Sequence, residues 1–192
     1  MAAMLIEAPA VEPVSLAEGK AYLKLEGSEE DAILSRLMIA ARVQVERIGG
    51  LALIRQRWWV SLDRWPGKPD IELPIAPVSE IHSLKVLGED DAAATIDPAH
   101  YFADLASSPQ RLVLRGSRQW PPPGRSAAGI EIELAAGFGE APEDVPQGLR
   151  QAILLLGGHW YEHRLAVEEE GRLQEVPLAV RTLVHPYRRV RL

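Results

Sequence analysis

Ile33-Leu-Ser-Arg-Leu-Met-Ile-Ala-Ala-Arg-Val-Gln-Val-Glu-Arg-Ile-Gly-Gly-Leu-Ala-Leu-Ile-Arg-Gln-Arg-Trp-Trp-Val-Ser-Leu62 carries two periodicities in one run. Ile33, Leu34, Leu37, Met38, Ala41, Val45 and Ile48 recur at steps of three and four, which predicts an amphipathic helix with Ser28 as its cap and Gly49-Gly50 as its stop. Its other face carries Glu30, Asp31, Arg36, Arg42 and Arg47 and is expected to meet water or a neighbour. From Ile54 the period falls to two: Ile54, Gln56, Trp58, Val60 and Leu62 point one way, Arg55, Arg57, Trp59 and Ser61 the other, as in a strand with one wet face. With further strand-like runs gathered into a mainly antiparallel middle third between helices, the chain reads as α+β.

Upstream, Ser15-Leu-Ala-Glu18 fits a capping box, and a short helix is expected through Leu25 until Gly27. Downstream, strand-like runs at Ile71–Pro74, Ile81–Leu87, Arg111–Arg115 and Ile130–Ala135 are separated by turn signals at Pro66-Gly67, Gly88-Glu-Asp-Asp91, Asp97-Pro98 and Trp120-Pro-Pro-Pro-Gly124. Asp144-Val-Pro146 then opens a last long helix, with Asp144 as cap and Leu149, Ala152, Ile153, Leu156 and Trp160 as its apolar stripe. Each of Gly157 and Gly158 inside it costs about 1 kcal/mol relative to alanine in an exposed helix, so another element is expected to approach there closely. Glu168-Glu-Glu-Gly171 is read as its break. The remainder, with Pro177 and Pro186 among Leu178, Val180, Leu183, Val184 and Tyr187, is too apolar for a free tail and too short for its own core. It reads as an arm that packs on something else. The expected organisation is one domain: a helical part over residues 1–50, a β-rich part over 51–140, a long helix over 141–170 and the arm over 171–192.

With 192 residues, 47% of them apolar, the chain can bury a sizeable core without staples. The absence of cysteine excludes disulfides, thiolate metal sites and cysteine nucleophiles. No apolar run reaches the roughly 18 residues of a membrane helix, and the first 25 residues lack a cationic start before an apolar stretch, so a soluble protein without an export signal and without a membrane partner is expected. The net charge of −6 is uneven: Met1–Asp31 has seven acids against two bases, whereas Arg172–Leu192 has five arginines against Glu175. An acidic head and a basic tail favour pairing within the chain or head-to-tail contact between copies. A folded body without a basic patch argues against a nucleic-acid reader.

His159-Trp-Tyr-Glu162-His163 matches H-x-x-E-H, in which two histidines one helical turn apart ligate zinc and the glutamate serves as base. No downstream helix supplies a convincing third ligand, so the segment reads as a helix end with aromatic packing, and a zinc-dependent hydrolase is the alternative. Gly137-Phe-Gly139 lacks the lysine and hydroxyl of a P-loop and the third glycine of a dinucleotide fingerprint, and reads as a turn after a strand. No G-x-S-x-G occurs. His82, His100 and His185 lie alone in sequence, and Trp58, Trp59, Trp65, Trp120 and Trp160 are expected to anchor core and turns. The residues thus point to no enzyme, no cofactor and no metal. An assembling or docking protein is expected, with a generic protein-binding module as a further alternative.

Taken in order, several segments resemble the head-tail connector, or adaptor, proteins of long-tailed bacteriophages and gene transfer agents. They are Val14-Ser-Leu-Ala-Glu-Gly-Lys-Ala-Tyr-Leu-Lys24, Glu30-Asp31-Ala-Ile-Leu34 and Ala40-Ala-Arg-Val-Gln-Val-Glu46, then Leu73-Pro-Ile-Ala-Pro-Val78, Tyr101 after Asp97-Pro98, and Ala136-Gly-Phe-Gly139. The series ends with Val145-Pro146 leading through Gln151-Ala-Ile-Leu154 to His159-Trp-Tyr-Glu-His-Arg164, and with Val176-Pro-Leu178, Leu183 and Pro186-Tyr-Arg188. The family frequently has Asn-Arg where this chain has His163-Arg164, which makes the zinc-like pattern an accident of substitution.

The resemblance implies a small helical bundle with a β-rich insertion and an extended C-terminal arm. It implies copies assembling as a ring, typically of twelve, between portal and tail in the neck of a particle assembled in the bacterial cytoplasm. The partners implied are the portal protein, a tail-side connector or terminator, and double-stranded DNA passing through without sequence-specific binding. The arm is the implied portal contact, through Val176, Pro177, Leu178, Arg181, Leu183, Pro186, Tyr187, Arg188, Arg189 and Arg191. Such an arm is expected to be mobile in the free monomer and fixed in the particle.

Overall fold

The computed structural model describes residues 1–163 and 176–188. Among them are four α-helices and two antiparallel sheets, an α+β fold. The chain divides into two compact units, each assembled from separate stretches.

The first unit comprises Met1–Pro9 and Arg55–Phe138 and holds all the strands. Its five-stranded sheet runs β1 (Ala2–Glu7), β2 (Gln56–Leu62), β8 (Ile130–Ala136), β4 (Val78–Leu87), β5 (Ala93–Thr95). A three-stranded sheet runs β3 (Asp70–Glu72), β7 (Arg111–Leu114), β6 (Tyr101–Asp104). β8 occupies the centre because its alternation is cleanest: Ile130, Ile132 and Leu134 are fully buried, while Glu131 and Glu133 between them are half-buried. Its register sets Val60 opposite Ile132 on one side and Leu84 opposite Ile132 on the other, so one apolar row crosses three strands. On β2, Gln56, Val60 and Leu62 are buried as the period-two reading expects, with Trp58 only half-buried.

The expected strand runs at 71–74, 81–87, 111–115 and 130–135 all coincide with strands, whereas β1, β5 and β6 had no expectation attached. β1 has a physical reason for escaping notice. Every residue from Ala2 to Glu7 is exposed, so no alternation marks it, and pairing with β2 makes it a strand.

The second unit comprises Ala10–Ile54 and Gly139–Arg188, as far as these are described, and holds the helices α1 (Leu16–Leu23), α2 (Asp31–Gly49), α3 (Gln147–Glu162) and α4 (Leu178–Val184). α1 begins with the expected capping box: the Glu18 N–H donates to Ser15 Oγ, and the Ser15 N–H donates to the Glu18 carboxylate. The core is a layer of Leu34, Met38, Ala41 and Val45 from α2 against Leu149, Ala152, Ile153 and Leu156 from α3. Gly157 and Gly158 carry the close approach expected of them. A Cβ on Gly157 would lie 2.7 Å from Met38 Sδ, and one on Gly158 would lie 3.1 Å from Tyr22 Cε1.

Four local expectations need correction. Ile33, expected in the apolar stripe of α2, is exposed, because it lies on the side of the helix away from Leu34, Met38 and Ala41. Ser28 does not cap α2; Glu30 stands at that position without a side-chain capping bond, its carboxylate accepting instead from the Tyr161 hydroxyl. Asp144 caps the 3-10 turn Pro142–Asp144 by accepting from the Ala141 N–H at 3.0 Å, and Pro146 stands at the N-cap of α3. Arg42, expected on the wet face of α2, is buried. Its Nε donates to Glu12 and its Nη1 to Glu46, each at 2.7 Å, and the second Glu46 oxygen accepts the Leu53 N–H at 2.9 Å. A charged trio thereby ties the chain before α1 and the exit from α2 to one side of the helix. The expected break at Glu168–Gly171 lies outside the described residues.

Candidate functional site

The segment expected to be an arm is, over Val176–Arg188, a short helix bounded by prolines. Pro177 stands at the N-cap of α4 with φ −53° and ψ 141°, an extended conformation that proline adopts without strain. Pro186 lies in the 3-10 turn His185–Tyr187 that follows the helix. The two prolines that read as features of an arm are therefore the start and stop of a helix.

Val180 and Val184, one turn apart, are fully buried. They face α3 and α2, where a Cβ on Gly49 would lie 3.2 Å from Val184 Cγ1 and one on Gly148 would lie 3.8 Å from the Tyr187 hydroxyl. Burying two valines contributes about 3–6 kcal/mol before entropy is subtracted. The packing partner of this segment is thus its own helical unit.

The remaining candidate residues sort by face. Leu178 is 78% exposed, and Arg181, Pro186 and Arg188 are exposed with it. Arg181 and Thr182 lie three and four residues on from Leu178, and His185 four and three residues on from them, giving an outward strip with an apolar head and a basic flank. Val176, Pro177, Leu183 and Tyr187 are half-buried at its margin, and Arg189 and Arg191 lie outside the described residues. Of the large apolar residues in the implied portal contact, Leu178, Leu183 and Tyr187, only Leu178 stands clear of the body.

The acidic head is largely satisfied within each unit. In the helical unit, Lys20 pairs with Asp31 at 2.7 Å, Arg150 with Glu18, and Arg42 with Glu12, while in the β unit Arg57 pairs with Glu7. Glu18 is held below the usual carboxylate range, first by the Ser15 N–H and then by the Ser15 hydroxyl and Arg150, against the opposing effect of burial.

His159 and His163 are neighbours on α3, with ring centroids 4.4 Å apart, but His163 Nδ1 lies 2.9 Å from the His159 carbonyl oxygen. That ring nitrogen is engaged by the backbone of its own turn. Among the described residues no three His, Asp or Glu side chains are grouped to hold a metal ion. Burial, followed by the neighbouring His163, lowers the His159 pKa from its ordinary value. Of the tryptophans, Trp65 and Trp120 stack at 4.7 Å and donate to the Pro121 and Pro69 carbonyls, anchoring loops of the β unit as expected. Trp58, Trp59 and Trp160 are half-buried.

No family model matches the chain, and no curated protein is significantly similar to it in sequence. Solved structures are similar along nearly the whole length. A chain in the virion of a native gene transfer agent particle superposes with a TM-score of 0.83 at 26% identity, covering 100% of this chain and 97% of its own. A chain in the neck of an empty particle of that kind, computed with six-fold symmetry, gives 0.82 at 26% identity over the same shares. One in the neck of the native particle, computed with twelve-fold symmetry, gives 0.72 at 28% identity over 98% of this chain and 97% of its own.

The chain is similar to neck components of a gene transfer agent. The resemblance to head-tail connectors read from its sequence is borne out. These matches support a structural particle subunit, and their coverage takes in both the helical and the β units.

Proposed function

We propose that this chain is a non-enzymatic adaptor subunit that assembles as a ring between the portal and the tail of a phage-like particle and extends its DNA channel. The observation that carries the reading is the full-length similarity to a neck chain in a structure of twelve-fold symmetry. The ring would hold about twelve copies in the neck of a particle assembled in the bacterial cytoplasm. Its partners would be copies of itself, the portal protein on one side and a tail-side connector or terminator on the other.

Double-stranded DNA would pass through without sequence-specific contact. Each phosphate that a protein neutralises adds affinity, and therefore friction, whereas a net charge of −6 repeated around a ring repels the duplex.

The portal contact is assigned to the outward strip of α4, with Leu178 as anchor, Arg181 and Arg188 as charged rim, and Val176, Pro177, Leu183, Pro186 and Tyr187 at its margin. Arg189 and Arg191 extend the basic rim in sequence. An apolar centre bordered by arginine is the makeup of a binding hot spot. Because Val180 and Val184 already fasten α4 to the body, the strip is presented pre-formed, which lowers the ordering cost of docking.

The test is Leu178→Asp combined with Arg181→Glu, measured by co-sedimentation with purified portal. The expected outcome is a folded protein whose portal affinity falls at least tenfold. Portal binding equal to that of the unaltered chain would remove α4 from the interface.

A further inference from the structure

At 3.6 residues per turn, Ile33, Arg36, Ile39, Val43 and Arg47 lie on the side of α2 opposite its core stripe. A surface helix ordinarily carries polar residues there. On α2 the branched side chains of Ile33, Ile39 and Val43 are 45%, 39% and 50% exposed, with Ala32 and Ala40 exposed beside them. Leu34, Met38, Ala41 and Val45 are buried on the other side, so this helix is apolar on both faces. The outward face runs about 21 Å from Ile33 to Arg47, at 1.5 Å per residue. Its two charges, Arg36 and Arg47, are exposed and make no ion pair among the described residues, unlike Arg42 one turn away.

We infer that the outward face of α2, at Ile33, Arg36, Ile39, Val43 and Arg47, seats the next copy of this chain, whose acidic turn between α1 and α2 supplies the counter-charges Glu26 and Glu29. The inference rests on the ring reading above and specifies which surface closes the ring.

Two charge arguments select this occupant. A two-fold contact of α2 on α2 brings like charges together in either sense, Arg36 of one copy against Arg47 of the other when antiparallel and each arginine against its own counterpart when parallel, in a partly dry interface. The face therefore fits a surface of opposite sign. Glu26 and Glu29 are exposed, carry no ion-pair partner among the described residues, and belong to the same helical unit. A face meeting a different face of the next copy is the heterologous contact that generates a ring.

The chain has no cysteine, which makes crosslinking clean. In full-length protein assembled with portal, Val43→Cys with Ser28→Cys, which leaves both counter-charges in place, and a short bis-maleimide should give a ladder of oligomers, while Val43→Cys alone should give monomer. Dimer from Val43→Cys alone would mean a two-fold contact and overturn the inference. Rings seen by electron microscopy but no ladder from the paired variant would also overturn it, leaving the ring reading intact. Absence of rings from the unaltered protein on the portal would instead defeat the ring reading itself, and this inference with it.

A second pair of variants separates charge from folding. Arg36→Glu with Arg47→Glu should reduce ring assembly at least tenfold with unchanged far-ultraviolet circular dichroism, and adding Glu26→Arg with Glu29→Arg should restore it. If the double glutamate variant assembles normally and loses only affinity for double-stranded DNA, the face is a DNA contact and the inference fails.

Discussion

Gly157 and Gly158 sit side by side in α3 with the same intrinsic helix propensity, yet substitution by alanine should act on them in opposite directions. Alanine gains about 1 kcal/mol over glycine in an exposed helix. At Gly157 the added methyl would lie 2.7 Å from Met38 Sδ and 2.8 Å from its Cε, and because Met38 is only 4% exposed its thioether must rearrange within the packed core rather than into solvent. Overpacking of this kind costs about 1–3 kcal/mol. The net effect of Gly157→Ala is a destabilisation of about 0–2 kcal/mol.

At Gly158 the nearest atoms are the Tyr22 ring at 3.1 Å and Leu23 Cδ2 at 3.3 Å, and Tyr22 is 41% exposed, free to tilt outward by a few tenths of an ångström. Gly158→Ala should therefore be neutral or stabilising by up to about 1 kcal/mol. The gap between the two variants, up to about 3 kcal/mol, corresponds to as much as roughly 12 °C in Tm for a chain of this size. Thermal melting followed by circular dichroism at 222 nm reads it from the helical unit. In a Met38→Leu background the cost of Gly157→Ala should shrink, and this coupling identifies the methionine as the cause. Equal shifts of the same sign at both positions, or no coupling to Met38, would refute the close-approach explanation.

Three further outcomes follow from the same geometry. Arg42→Ala leaves Glu46, whose side chain is 10% exposed, without its cation and should cost about 3–5 kcal/mol in urea unfolding, whereas Glu12→Ala, at a carboxylate 32% exposed, should cost about 1 kcal/mol or less. Val184→Ala should lower stability by about 1.5–3 kcal/mol, because its methyls are fully buried, while Leu178→Ala should change stability by less than about 0.5 kcal/mol and weaken portal binding; the two faces of α4 are thereby separated by a melt and a pull-down. Glu18→Gln should destabilise the chain at neutral pH by about 0.5–1 kcal/mol through the capping box. The Glu18 carboxyl titrates below the usual range in the folded chain, so its contribution is present above the ordinary carboxylate pKa and is lost as pH falls through the lowered one. The difference between Glu18→Gln and the unaltered chain should accordingly close at acid pH, and a difference that persists there would remove the ionised cap as its cause.

How much could be read in advance depends on how far apart the interacting groups lie along the chain. The capping box at Ser15 and Glu18 spans three residues, and Gly157-Gly158 announces a close approach by its cost alone, so both were legible. β1 was not, because exposed Ala-Ala-Met-Leu-Ile has no period and becomes a strand only through β2, more than fifty residues on. Arg42 reads as a solvated charge because its partners are distant in sequence: Glu12, thirty residues upstream, accepts from its Nε, while Glu46 accepts both its Nη1 and the Leu53 N–H. At α4, helical spacing already relates Val180 to Val184, but two prolines and the basic flank suggested an arm. Only the presence of α3 and α2 beneath the valines turns that segment into a docked helix with one free strip.

The order of its motifs along the chain, and the alternation of helical and strand periods, are properties of the sequence itself, since they depend on neighbours within a few residues. Local spacing therefore determined the α+β class, the principal helices and strands and the likeness to connector proteins. Which apolar face each helix hides and which it leaves open was decided by tertiary packing. Leu178, Ile39 and Val43 are as apolar as the residues of the core and differ from them only in having no element of their own unit folded over them. Burial is a relation between distant segments, and short-range periodicity does not encode it.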